Sequence, residues 1–279
     1  MTKDEMLKVL KNSFKDFKFY EDGHYYTYKD KPVGISVTRF IAEYENEFNQ
    51  QEVAEKVAIK ENRPVEDILA EWKYKADFAC AKGSECHYYA QTLWNKEPWD
   101  MMKFGFDGSI EYDSATELIQ TQAENFYKDY QDHLEHLQDE FVVGSEEYNI
   151  ASAIDHLFIN KLTGGLVLVD YKTNSDIHKS EKYAKNMKVP LQHMKDFTLN
   201  HYYIQLSIYK YLLEKYTDFE INVYIASEYR YQKVYADKNT LIIATSQSGE
   251  TADTITAVRQ AKEAGLSFLH PTLRSIKES

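Results

Sequence analysis

The strongest strand signals of the chain lie between Phe141 and Asn174, in the stretch FVVGSEEYNIASAIDHLFINKLTGGLVLVDYKTN. It is rich in β-branched residues and carries a Gly164-Gly165 turn signal, a combination typical of strands joined by short turns. The apolar run just before Asp170 fits a strand that is buried on both faces. The stretch predicts a meander of three strands, over residues 141–144, 148–160 and 166–172.

Two carboxylates are expected to meet at the end of this meander. Residues i and i+2 of a strand point to the same face, so Asp170 and Lys172 project together while Tyr171 points away. A hairpin closed at residues 163–165 brings Asp155 of the preceding strand close to Asp170. Two such carboxylates repel each other unless a cation lies between them, and Mg²⁺ or Mn²⁺ suits oxygen ligands.

A structural interpretation of the same residues stays open from spacing alone. Asp155 and Asp170 can be ordinary residues at strand ends, with Lys172 paired to one of them. The pattern Asp-x-Lys is short and arises often by chance. The functional interpretation therefore depends on the surrounding sequence.

The flanking sequence predicts a mostly helical first half and a long helix after the strands. Ser36 is a suitable N-cap residue, and Pro64 marks the start of a new helical segment. A hairpin is expected in the stretch HYYTYKDKPVGIS, and two strands are expected in INVYIAS and YRYQKVYA. Helical periodicity covers residues 3–18, 51–94, 114–138 and 198–216.

Five elements in order resemble the PD-(D/E)XK nuclease superfamily, in its RecB-like and phage exonuclease-like branch. They are Asp155, the Asp170-x-Lys172 step after an apolar strand, Gln205-x-x-x-Tyr209 on a helix, the upstream HYYTYKDKPVGISVTRFI, and Gly83-Ser84-Glu85-Cys86-His87. The resemblance covers residues 20–235. It implies an α/β (α+β) fold with a restriction-endonuclease-like core, in which helices flank a central mixed sheet after a mostly helical N-terminal region.

The resemblance also implies a role for each matching residue. His87, Asp155, Asp170 and the carbonyl of Tyr171 would bind the metal, and Lys172 would position the attacking water. Gln205 and Tyr209 lie four residues apart on one helix face and would support the site or contact a DNA backbone. Plain packing roles for His87, Gln205 and Tyr209 stay open.

The chain departs from the family pattern at three points. The family usually has Gly two or three residues before the first Asp, where this chain has Ala153 and Ser152, and Gln91 stands where the family often has Glu. The upstream acid can be Glu140, Glu146 or Glu147, of which Glu146 is favoured here. These departures bear on the number of metal ions rather than on metal binding.

A second resemblance lies at residues 240–265, TLIIATSQSGETADTITAVRQAKEAG. The segment resembles part of the sugar-phosphate-binding SIS domain of glutamine–fructose-6-phosphate aminotransferase. There a Ser-Gln-Ser-Gly-Glu-Thr loop joins a strand to a helix N-terminus that holds a phosphate. The matching residues are Ser246, Gln247, Ser248 and Thr251.

Three interpretations of this segment stay open. It is a fusion remnant, or a strand and helix that complete the nuclease sheet, or a segment that keeps some affinity for anions. The short match leaves no room for a complete domain, so aminotransferase activity is not expected.

Composition narrows the class of protein further. The net charge of −12 argues against binding nucleic acid over the whole surface, so a local patch or metal ions would be needed. Two cysteines, Cys80 and Cys86, are too few for an iron–sulfur cluster. Without a membrane span or a signal peptide in the sequence, we expect a cytoplasmic protein of a bacterium or a phage-infected host.

These observations predict a DNA nuclease that depends on Mg²⁺ or Mn²⁺, with exonuclease action in phage or mobile-element DNA metabolism favoured. DNA would be the ligand and a recombination or replication protein a partner class. The alternatives are an inactive DNA-binding or assembly protein on the same fold, and a sugar-phosphate-binding module. The expected division is a helical region at 1–139, a catalytic core at 140–238 and the SIS-like fragment at 239–279.

Overall fold

The fold is a mixed α/β arrangement in which helices pack on both faces of a central sheet. A computed structural model describes residues 1–99, 110–173, 181–219, 221, 241–243 and 267–269. The mixed α/β class expected from the sequence is confirmed, whereas the finer expectation of a restriction-endonuclease-like core is not.

The N-terminal region begins with a capped helix and a small antiparallel sheet. Thr2 and Glu5 form a capping box that starts helix α1, which ends at Ser13 rather than at the predicted residue 18. The predicted strand pair is present within a three-stranded sheet of order β1-β2-β3. The elements are α1 (Lys3–Ser13), β1 (Phe17–Tyr20), β2 (Tyr25–Tyr28) and β3 (Lys31–Pro32).

Among the described residues, four more helices precede the three strands of the meander. Ser36 accepts a hydrogen bond from the Arg39 backbone N–H, which confirms it as an N-cap. Pro64 separates two helices, as expected from its missing N–H. The helices are α2 (Val37–Ala42), α3 (Gln50–Glu61), α4 (Val65–Asn95) and α5 (Ile110–Tyr130).

The central sheet contains the predicted meander, with a first strand longer than predicted and with second and third strands that are shorter. Its members are β4 (Ile35–Ser36), β5 (Leu134–Ser145), β6 (Ile150–Asn160) and β7 (Leu166–Val169). Strand β6 pairs antiparallel with β5 and β7 and parallel with β4. The predicted helix over 114–138 is wrong at its end, since α5 stops at Tyr130 and β5 starts at Leu134.

Two apolar layers hold the helices against this sheet. Helix α6 (Thr198–Tyr216) has the bounds predicted from its periodicity, and it packs with α1 and α2 on one core cluster of the sheet. On a second cluster, Trp94 of α4 and Phe126 of α5 pack against Phe158 of β6. The central strand is therefore enclosed by side chains from helices on both sides.

The last described elements form a separate pair of strands. Strands β8 (Leu241–Ile243) and β9 (Ser267–Leu269) pair parallel, with Ile242 opposite Phe268. The strand predicted at the start of the SIS-like segment is therefore present. The predicted strands INVYIAS, beyond its first residue, and YRYQKVYA lie outside the described residues.

Candidate metal centre and C-terminal segment

The two predicted carboxylates meet where β7 ends beside the middle of β6. The ladder pairs His156 with Val169, so the next residues along, Asp155 and Asp170, face each other. Burial, and then the charge of Asp170, raise the pKa of Asp155 well above its usual range. The contribution of Asp170 to this shift agrees with the repulsion that the sequence predicts between the two carboxylates.

His87 completes the cluster from helix α4. Its Nδ1 atom lies 3.4 Å from Oδ2 of Asp155. Ligand atoms of His87, Asp155 and Asp170 all lie within 4.8 Å of one another. Burial lowers the pKa of His87 to about 4, so its imidazole is neutral at neutral pH and keeps a lone pair for a metal ion.

Two buried polar atoms of this cluster have no hydrogen-bond partner among the described residues. They are Nδ1 of His87 and Oδ1 of Asp170. An unpaired buried polar atom costs about 1–3 kcal/mol, so folded proteins rarely leave two side by side without a ligand. Both atoms belong to the three residues that can hold a metal ion.

Lys172 and Tyr171 point in opposite directions, as the strand pattern predicts. Lys172 Nζ lies 2.7 Å from Asp170 Oδ2 and 4.3 Å from the ring centre of Tyr202. Burial alone would lower the pKa of Lys172, but the charge of Asp170 raises it. Tyr171 is turned into the second core cluster, where its hydroxyl accepts a hydrogen bond from Trp94.

Gln205 and Tyr209 support the strand that carries Asp155. Gln205 Nε2 donates to the Tyr209 hydroxyl at 2.8 Å, and that hydroxyl lies 2.9 Å from Ser152 Oγ. The Ser152 hydroxyl therefore makes a buried contact with α6. The geometry places both α6 residues behind the strand, while a direct role in chemistry stays a prediction.

Glu140, rather than Glu146, lies beside the carboxylate of Asp155 in the ladder. Glu146 directly follows β5, in the turn before β6, and its carboxylate lies 3.9 Å from Lys29 Nζ. The ladder pairs the neighbours of Glu140 with those of Asp155, and Glu140 has a left-handed backbone with φ of 46°. Partial desolvation, together with the Asp139 and Asp170 carboxylates, raises the pKa of Glu140.

Sequence reasoning had no signal with which to choose Glu140. A positive φ at a residue other than Gly, Asn or Asp is uncommon and follows from tertiary context. The ladder runs in one register from Ser145 to Gln138, so the turn at residues 146–149 sets Glu140 opposite Asp155, whereas the predicted strands put that turn at residues 145–147.

The residues predicted to bind an anion lie in the connection between β8 and β9. Ser246, Gln247, Ser248 and Thr251 fall outside the described residues. They follow β8 directly in sequence, within a connection over 244–266 that joins two parallel strands. Parallel neighbours always need such a crossover connection.

Comparison with known families finds a match in this C-terminal part. The SIS domain family model matches residues 207–269. Glutamine–fructose-6-phosphate aminotransferase (isomerizing) from Thermotoga maritima is 45% identical over 64 residues, or 23% of this chain and 10% of that protein. The Clostridium acetobutylicum enzyme of the same name is 54% identical over 56 residues, or 20% and 9% of the two chains.

These matches cover a small part of this chain and of each relative. The chain spans about a tenth of the length of the curated relatives it matches. No solved structure matches the chain. The family match begins within α6, so His87, Asp155, Asp170 and Lys172 all lie upstream of it.

The comparisons contradict the function predicted from the first resemblance. The family found is the SIS domain and the relatives are aminotransferases, so the assignments of DNA nuclease, DNA partner and phage recombination role are withdrawn. Among the described residues, no helix is both long and apolar enough to cross a membrane. What the comparisons establish is a C-terminal segment similar to part of a SIS domain.

Proposed function

We propose that the chain binds a sugar phosphate through the segment that follows β8. The observation that carries the proposal is the SIS family match at residues 207–269, together with the similarity to enzymes named for fructose 6-phosphate. The ligand's phosphate would be held by Ser246, Gln247, Ser248 and Thr251.

The pairing of β8 with β9 supports this placement. Ligands of open α/β sheets bind beyond the carboxyl ends of parallel strands, where connecting loops begin. The loop SQSGET begins three residues after Ile243, at that end of β8. Hydroxyl groups and backbone N–H groups in such a loop offer donors to phosphate oxygens.

Calorimetric titration with fructose 6-phosphate tests this function. We expect binding to the wild-type chain, a large loss in Ser248→Ala and no change in Ser13→Ala, a matched substitution on α1. Titration with inorganic phosphate shows whether the sugar adds affinity. Absence of binding to the wild type at millimolar ligand would remove the proposal.

A second binding function is favoured by the geometry of the core. We propose that His87, Asp155 and Asp170 hold one divalent cation, Mg²⁺ or Mn²⁺. The observation that carries it is that His87, Asp155 and Asp170 each offer a ligand atom within 4.8 Å of the others, while His87 Nδ1 and Asp170 Oδ1 are buried without a hydrogen-bond partner among the described residues. Carboxylate oxygens with one neutral imidazole suit Mn²⁺, and carboxylate oxygens with water suit Mg²⁺.

The two oxygens of Asp170 are used differently in this arrangement. Oδ2 pairs with Lys172, whereas Oδ1 has no hydrogen-bond partner in the part of the chain that the structure describes and is available to a cation. The lysine therefore offsets part of the negative charge without occupying the cation position. A bound divalent ion would supply Lewis-acid chemistry next to the Lys172 ammonium group. The Tyr171 carbonyl is a further ligand in this proposal.

Titration with MnCl₂ and MgCl₂ tests the cation site. We expect one site in the wild type and an affinity weaker by more than about 100-fold in Asp170→Asn, since a removed ligand costs more than a removed supporting group. Asp77→Asn, an exposed change on α4, should bind like the wild type. Equal affinity in Asp170→Asn and the wild type would refute the site.

A further inference from the structure

A partly buried polar cluster of His136, Asp139, His156 and Asn95 lies next to the proposed cation ligands. Oδ1 of Asp139 lies 2.8 Å from His136 Nε2 and 2.8 Å from His156 Nδ1. Its other oxygen accepts a hydrogen bond from Asn95 at 2.9 Å. The cluster therefore joins β5 and β6 to the end of α4, the helix that carries His87.

His156 is the member of the cluster closest to the cation ligands. It is fully buried, with a side-chain exposure of 0%, and it directly follows Asp155 in β6. Its ring lies nearly parallel to that of His87, with centroids 5.9 Å apart. It also makes a T-shaped contact with the ring of Tyr171, the neighbour of Asp170, with the ring centroids 5.1 Å apart.

Asp139 fixes how the His156 ring is held. Burial alone would raise the pKa of Asp139, but hydrogen bonds from His136 and His156 hold it below its usual range, so the carboxylate stays ionised. An ionised partner at Nδ1 keeps the proton on that nitrogen. The His156 ring is therefore locked in one orientation against the His87 ring.

We infer that Asp139 and His156 are positioning residues, which hold the His87 imidazole in place for the divalent cation. This inference rests on the proposed cation site. Partners behind the ligands of a metal typically change its affinity by about 10–100-fold when they are removed. His136 binds the same carboxylate but shows no ring contact with His87 among the described contacts, which makes it a matched control.

The test compares His156→Phe with His136→Phe. Each variant replaces an imidazole bonded to Asp139 by another planar ring. We expect Mn²⁺ affinity to fall by about 10–100-fold in His156→Phe and by less than threefold in His136→Phe. The titrations are made at a temperature where circular dichroism shows every variant folded.

Pulsed electron paramagnetic resonance on bound Mn²⁺ adds a readout that loss of stability alone would not move. We expect nitrogen coupling from His87 in the wild type and in His136→Phe, and weaker or altered coupling in His156→Phe. If His156→Phe does not fold, Asp139→Asn keeps the side-chain volume and tests the same pair.

The outcomes separate the two proposals. A wild-type chain that binds no Mn²⁺ overturns the cation site and this inference with it. A wild type that binds Mn²⁺, beside a His156→Phe variant with equal affinity and equal nitrogen coupling, overturns the positioning role alone.

Discussion

The core sheet and the C-terminal segment carry different kinds of functional information. In the core, side-chain geometry defines a candidate site, whereas the SIS family match begins only at residue 207. In the C-terminal segment the family match is clear, while the structure describes only β8 and β9. The difference shows that similarity over a quarter of the chain relates only that part to a known family, and that the function of the rest must be argued from its own contacts.

The two regions meet in α6. The family match begins at residue 207, yet Tyr209, Leu212 and Leu213 of this helix are buried in the first core cluster. The start of the similarity therefore does not coincide with a boundary in packing. A substitution in α6 should act on the core even though it falls within the matched range.

The largest expected difference between the regions is in stability. Phe158 is fully buried between Trp94 and the sheet, and Phe158→Ala should lower the free energy of unfolding by about 3–5 kcal/mol. Ile242→Ala in β8 should leave the Mn²⁺ affinity of the core unchanged, since β8 pairs only with β9 among the described strands. Chemical denaturation and Mn²⁺ titration measure the two effects.

A loss of Mn²⁺ affinity in Ile242→Ala would show that the regions are coupled. In that case the separate treatment of the core and the C-terminal pair of strands would be wrong. A loss of less than about 1 kcal/mol in Phe158→Ala would contradict the packing described for the second core cluster.

The next effect is stabilisation by ligands. At a free Mn²⁺ concentration of 100 times its dissociation constant, Mn²⁺ should raise the free energy of unfolding by about 2.7 kcal/mol. Fructose 6-phosphate should raise it by an amount set by its own concentration and dissociation constant. Ser248→Ala should remove only the sugar-phosphate effect and Asp170→Asn only the Mn²⁺ effect. Thermal melts with each ligand alone and with both measure this, and non-additive shifts would reveal coupling.

A smaller effect on stability is expected from the hydrogen bonds that join α6 to β6. Tyr209→Phe removes a buried hydroxyl that bonds Ser152 and Gln205, and should cost about 1 kcal/mol of stability. The double variant with Ser152→Ala should cost less than the sum of the single changes, because both remove the same bond. Tyr211→Phe, an exposed change on the same helix, should stay within about 0.5 kcal/mol of the wild type.

Local patterns predicted much of the core. The apolar period of α6 gave its bounds, and the alternation after β7 placed Lys172 beside Asp170 and turned Tyr171 into the core. These features depend on residues close in sequence, so their spacing carries the information. The hairpin turn at Gly164 was equally visible and sufficed to bring Asp155 to Asp170.

Features that depend on long-range packing were not visible. Leu134 continues the helical spacing of α5, so no signal showed that the chain turns at residues 131–133 and enters β5. The position of Glu140 beside Asp155 follows from the register that the turn at residues 146–149 sets, and the predicted strands put that turn at residues 145–147. The pairing of Asp139 with His156 joins two strands, and no local spacing predicts it.

The most direct test of the central claim is the calorimetric titration of Mn²⁺ into the wild-type chain and into Asp170→Asn. The account predicts one Mn²⁺ per chain in the wild type and an affinity weaker by more than about 100-fold in the variant. A titration in which the wild-type chain binds no Mn²⁺, or in which Asp170→Asn binds Mn²⁺ as tightly as the wild type, would contradict the proposed cation site.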